Sequence, residues 1–239
     1  MRLLRINTDG IPLAIASQLL PWRTRLRPSM QAHIHLHARL QDRSESKVQT
    51  QSKQPARRVD KKNIENIIVD LQSLIKSLSW SVEATPWENY YEGDSYIDQA
   101  FEHKKTLVAT YIEQTRPKLV WDLGANAGEF SQLTDTTTIA WDFDEGAVQR
   151  HYVALKTQSN ETILPLIQDL MNPSPNIGWM STERDGLLKR SENVDLVMAL
   201  ALIHHIVIAN NVPLEQFAEF LHMIAPSAIV EFVPKSDPK

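Results

Sequence analysis

Leu119-Val120-Trp121-Asp122-Leu123-Gly124-Ala125-Asn126-Ala127-Gly128-Glu129-Phe130 is the stretch from which the rest of the chain is read. A short apolar run ends in an acid, two glycines follow four positions apart, and a helix-compatible segment comes next. That order predicts a buried strand turning sharply into a helix. Glycine at 124 and 128 leaves no side chain where the backbone must bend and approach a ligand. The helix start expected beyond them offers unpaired N–H groups to an anionic group. Two of the chain's seven glycines stand here. Taken alone, the pair also fits a tight strand-to-helix turn with no ligand.

Two cofactor classes use such a turn. Dinucleotide enzymes place a third glycine between the outer two, so that the backbone can touch a pyrophosphate; here that position is Asn126. The pattern D-x-G-x-N-x-G instead resembles motif I of the class I S-adenosylmethionine (SAM) methyltransferases. The resemblance implies that Gly124, Asn126 and Gly128 hold the methionine part of the cofactor. Asp122 would set negative charge near its ammonium and sulfonium.

A second β-like run, Thr137 to Trp141, ends in Asp142-Phe143-Asp144. Asp142 follows Asp122 by 20 positions, the interval at which nucleotide-binding α/β folds place the acid that bonds ribose hydroxyls. A carboxylate accepts from two vicinal hydroxyls at once. Asp144 either faces solvent or caps the next helix. Thr162 to Ile167 reads as a third strand, and the Gln168-Asp169-Leu170 that closes it resembles motif III of the same family. The resemblance implies an adenine amino contact for Asp169, with Leu170 beside it. Val194 to Ala199 is the fourth strand. It continues as Leu200-Ala201-Leu202-Ile203-His204-His205-Ile206, which resembles the Leu-His-His-Leu segment after strand four of some class I methyltransferases. Ala199 would then adjoin the cofactor. His204, ahead of His205, could take a proton from a hydroxyl acceptor, unless either ring caps or packs the next helix.

Ala228 to Val233 is a fifth strand, and helical patterns cover Asn63–Leu78, 101–114, 146–157, 182–190 and 213–223. Strand alternating with helix predicts a doubly wound, mostly parallel α/β sheet of the class I methyltransferase type. Ligands bind such sheets beyond the carboxyl ends of the strands. There the order places Asp122, Asp142, Asp169, the segment Leu200–His205 and Glu231.

The 239 residues carry a net charge of −4 and no cysteine. Disulfides and thiolate metal sites are therefore excluded, and a reducing, cytoplasmic setting is expected. Val194 to Ala209 is the longest apolar stretch. It contains Asp195, His204 and His205 and is shorter than the ~20 residues of a membrane span, so no membrane partner is expected. Charge is uneven: residues 1–62 hold 13 Lys/Arg against 4 Asp/Glu. Three parts are expected: a basic N-terminal segment (1–41), a flexible linker (42–62) rich in Ser, Gln, Lys and Arg, and a SAM-binding domain (63–239) on which helix 63–78 packs. His33, His35 and His37 alternate in strand period, which puts them on one face; they are expected to face water, and no metal site is assigned. The aromatics Trp80, Trp87, Tyr90, Tyr91 and Tyr96 suit either a water-excluding lid or plain packing.

A class I methyltransferase adds two antiparallel strands after the fifth. This chain reaches Lys239 directly after its fifth, as a fragment of a longer protein would. The segment from Gly178-Trp179 to Glu183-Arg184, running into Leu200–His205, is similar to nodulation-type methyltransferases of unassigned chemistry. The expected function is SAM-dependent methyl transfer to an unidentified acceptor, a small molecule before a macromolecule. Two alternatives stay open: a SAM-binding or scaffold module without turnover, and an RNA methyltransferase that uses residues 1–62 as a nucleic-acid arm.

Overall fold

The computed structural model describes residues 2–41, 60–80 and 98–232, within two compact units, Met1–Ser81 and Val82–Lys239. The first is helical: α1 (Arg2–Ile6), α2 (Leu13–Leu19), a 3-10 turn (Trp22–Leu26), α3 (Pro28–Met30), which runs into a π-helix (Gln31–Leu36), and α4 (Lys61–Ser77). The strand expected at His33–His37 is thus a helix, along which Met30, Ile34 and Ala38 recur at four-residue steps. Helical winding separates the three histidines. His35 is buried, with Ser17 Oγ 2.8 Å from Nδ1 and Thr24 Oγ1 3.0 Å from Nε2. His33 Nε2 lies 2.7 Å from Asp70 Oδ2, and His37 is exposed. Among the described residues no three His, Cys, Asp or Glu gather as a metal would need.

Helix α4 forms where the apolar spacing predicted it but belongs to the first unit, so the expected boundary after residue 62 moves to 81. None of its residues is buried. Its Asp70 carboxylate accepts from Ser29 Oγ at 3.0 Å and meets His33. Most of the linker (42–59) and the aromatics Trp87, Tyr90, Tyr91 and Tyr96 lie outside the described residues.

The second unit runs α5 (Asp98–Thr115), β1 (Leu119–Leu123), β2 (Thr137–Asp142), α6 (Glu145–Gln158), β3 (Ile163–Ile167), α7 (Leu187–Arg190), β4 (Leu196–Ala199), α8 (Leu214–Ile224), β5 (Ser227–Val230). All strand pairs are parallel, in the order β3-β2-β1-β4-β5. Central strands of such a sheet are covered on both faces and read as apolar runs, and β4 is wholly buried. On one face Val108 and Ile112 of α5 pack against Val120, Leu196 and Met198, and Leu155 of α6 against Ala140 and Ile163. On the other, Phe217, Leu221 and Ile224 of α8, at helical spacing, meet Trp121, Trp141 and Val197. The Trp121 and Trp141 rings pack edge to face at 5.2 Å. Asp144 caps α6, accepting from Gly146 N at 2.7 Å and Ala147 N at 3.0 Å.

Two expected helices are not formed. After β1 comes only a 3-10 turn, Ser131–Leu133. Gly124, Asn126 and Gly128 all have left-handed backbone (φ 73°, 49° and 84°), and the few residues left before Thr137 cannot nucleate a stable α-helix. Of 182–190, only α7 is helical, because Ile177 and Arg184 form an antiparallel bridge upstream.

Candidate functional site at the carboxyl edge of the sheet

Without a helix behind it, the β1 turn takes its shape from hydrogen bonds. Trp141 O accepts from Gly124 N (2.8 Å) and Ala125 N (3.0 Å), carrying the β1–β2 ladder into the turn. Asn126 tolerates left-handed backbone because its side chain bonds locally; its Oδ1 accepts from Ala127 N at 2.7 Å. Asp142 is the staple. Its Oδ2 accepts from Asn126 N at 2.7 Å and its Oδ1 from Asp144 N at 2.8 Å, which ties the ends of β1 and β2 together. Burial raises its pKa, and these backbone bonds oppose the rise.

A cavity of about 340 Å³ opens where these strand ends meet, in the range of small-molecule sites, ~300–1,000 Å³. β1 lies between β2 and β4, so the order of connection reverses here, the place where open α/β sheets take ligands. The β1 end contributes Gly124 and Asn126, the β2 end Asp142 and Phe143, the β3 end Asp169 to Met171, and the loop after β4 Leu200 to Leu202 and His205. Among these lining residues none is Lys or Arg, whereas two are aspartates. Ala201 takes a φ of 54° on the cavity wall, a backbone state uncommon for non-glycine residues.

Of the residues expected to touch a cofactor, Gly124, Asn126, Asp142, Asp169 and Leu170 line this cavity, and so does His205. Asp122, Gly128, Ala199 and His204 do not. Asp122 is buried and accepts from Ser131 Oγ at 2.6 Å. Burial lifts its pKa to about 6 against the Ser131 bond. Gly128 is glycine for packing: a Cβ there would sit 2.0 Å from His151 Cε1. Ala199 lies in the core with 0% exposure, its backbone paired to Val230, and the wall passes to the three residues after it. Between the two histidines, the π-helix His204–Ile208 brings His205 to the cavity. Its pKa is lowered by burial and then by His204, with Asp142 opposing.

Gly124 fits the reading given to it. Its φ is 73°, and an added Cβ would lie 3.0 Å from Leu202 Cδ1, itself on the cavity wall. Asp169 is exposed, with Oδ1 accepting from Met171 N at 2.9 Å. Sequence reasoning missed Trp141, Phe143, Gln168, Met171, Ile206 and Asn210, all on the cavity wall. Phe143 and Met171 had a signal, since each stands one or two residues beyond a flagged aspartate at a strand end. Asn210, whose Nδ2 donates to His205 O at 2.6 Å, had none.

No protein-family model matches the chain. A curated relative, nodulation protein NoeA of Rhizobium meliloti (strain 1021), is 35% identical over 240 residues. The match takes in 98% of this chain and 50% of the relative, so the chain spans about half of that relative's length. Among solved structures, the bifunctional kinase-methyltransferase WbdD is 19% identical with a TM-score of 0.43, over 71% of this chain and 36% of that one. The methyltransferase domain of bacterial CtHen1-C is 19% identical with a TM-score of 0.41, over 54% and 64%. In sequence the chain is similar to NoeA, and its five parallel strands in the order β3-β2-β1-β4-β5 with helices on both faces make it a Rossmann-like, doubly wound α/β unit.

Proposed function

We propose that the second unit binds SAM in the carboxyl-edge cavity and transfers its methyl group to a small acceptor. The observation that carries this reading is the donor set of the wall: two carboxylates and no cation, beside a glycine turn with no helix behind it. A dinucleotide pyrophosphate calls for a helix N-terminus or a cation, and the described wall offers neither. A sulfonium compound with ribose hydroxyls calls for acceptors. Gly124 supplies the cradle, since its φ and the approach of Leu202 exclude a side chain there.

In this reading Asp142 takes the ribose hydroxyls, Asp169 the adenine amino group, and the exposed Phe143 and Met171 the faces of the base. SAM supplies a methyl group already activated on sulfur, which leaves the protein mainly positioning and desolvation to provide. Leu200, Leu202 and Ile206 keep water from the wall. His205, held neutral by burial and by His204, accepts a proton at a ring nitrogen from an acceptor hydroxyl. The likeness to NoeA supports a role shared with that nodulation protein.

Isothermal titration decides it. SAM should give saturable heat that Asp169→Ala weakens, and NADH should give none. Absence of heat from the wild-type chain, or heat undiminished in both Asp169→Ala and Asp142→Ala, sinks the reading.

A further inference from the structure

In Rossmann-like units the glycine turn leans on the helix that follows it. Here that helix is a three-residue 3-10 turn, yet the turn holds three left-handed residues at alternate positions, 124, 126 and 128. Something else must support it. Behind Gly128 lies His151 of α6, 1% exposed, so close that a Cβ on Gly128 would be 2.0 Å from Cε1 and 2.1 Å from Nε2. Both of its ring nitrogens are buried, and among the described residues neither has a hydrogen-bond partner. An imidazole so placed acts through its shape, because neither nitrogen engages a neighbour.

We propose that His151 is the positioning residue of the β1 turn, a flat ring wedged behind Gly128 that gives the support a helix gives elsewhere. Burial drives its pKa down to about 4 against the pull of Glu129, so the wedge is uncharged at neutral pH. The turn is then clasped from two sides: the Asp142 carboxylate holds Asn126 N, and the ring backs the strand of chain two residues on. That the turn thereby serves a cofactor rests on the function proposed above, while the wedge itself does not.

Hydrogen exchange on the full chain tests the wedge directly, because local opening is read without any ligand. His151→Ala should speed exchange of peptides spanning 124–133 at least tenfold, the equivalent of about 1.4 kcal/mol, and leave α8 peptides unchanged. His151→Phe, which keeps a ring, should restore protection to within about threefold, an allowance well inside that tenfold step. Leu221→Ala, a truncation in α8, should leave 124–133 alone. SAM titration of the same variants should show His151→Ala weaker by about tenfold and His151→Phe close to wild type. Unchanged exchange in His151→Ala, equal acceleration by Leu221→Ala, or failure of His151→Phe to restore protection overturns the proposal. Should His151→Ala not fold, His151→Leu replaces it, with the same outcomes. If wild type binds no SAM, the cofactor reading falls while the exchange result still decides the wedge.

Discussion

An alanine at Gly128 separates two demands that could have made that residue glycine. If the reason is ligand approach, the alanine leaves the apo protein as stable as before and weakens only SAM binding. If the reason is His151, the apo protein suffers. At φ 84° an L-residue costs about 1–2 kcal/mol. The new Cβ would stand 2.0 to 2.6 Å from three ring atoms, in a site too closed for the ring to swing clear, and overpacking of that kind costs about 1–3 kcal/mol. The sum, about 2–5 kcal/mol, is a large share of a domain's ~5–15. Urea unfolding followed by fluorescence reads it, and a double-mutant cycle isolates the ring. With His151→Ala in the background, Gly128→Ala should keep only its backbone cost, a coupling of about 1–3 kcal/mol between the two sites. A Gly128→Ala penalty below about 1 kcal/mol, or one of the same size with and without the ring, refutes the assignment of this glycine to packing.

Asp122 titrates upward, to about 6 from 3.8, with burial the main cause. The folded state therefore binds its proton more tightly, and stability present at pH 4 is lost as pH rises through 6, about 3 kcal/mol in all. Asp122→Asn keeps an acceptor for Ser131 and should be the more stable protein at pH 7 by up to that amount, converging with wild type near pH 4; lower stability at pH 7 contradicts this. Asp142→Asn has one acceptor oxygen for two backbone N–H groups, Asn126 and Asp144, so a buried donor is stranded at about 1–3 kcal/mol. SAM titration should show weakened binding alongside. His205→Gln should lower kcat by about 10²–10⁴ and change KM little, with His204→Gln much milder; equal losses in the two variants argue against His205 as the base.

The sheet was legible because each parallel strand is a short run rich in apolar residues. Leu119–Leu123 and Thr137–Asp142 form as read, and Asp142 and Asp169 reach one cavity because both stand at carboxyl ends. What failed has physical causes. Such turns usually lead into a helix, but three left-handed residues use up the span in which one would begin after Gly128. The alternation at His33–His37 fits period two, yet His33 and His37 also stand at helical spacing. Gly128 and Gly124 look alike in sequence. Only the fold reveals that one faces the Leu202 side chain beside the cavity and the other the His151 ring. Helix α4 was recognised from its own periodicity, which says which face is apolar and nothing about which unit the face serves.

Asp142 joins the folding of the turn to its chemistry. Each carboxylate oxygen offers about two lone-pair directions, and the backbone takes one on Oδ2 through Asn126 and one on Oδ1 through Asp144. The Phe143 backbone N–H also bonds this carboxylate, which leaves one direction for a hydroxyl donor, so a ribose need not displace the bonds that hold the turn. The carboxylate is thus fixed in orientation before any ligand arrives, and association is spared the ordering cost that a mobile acceptor would add, about 0.5–1.5 kcal/mol per immobilised side chain. A turn ordered in advance should show nearly the same exchange protection at Asn126 with and without SAM. Protection that appears only with SAM means the ligand builds the turn, and then neither Asp142 nor His151 has the supporting role that their geometry gives them.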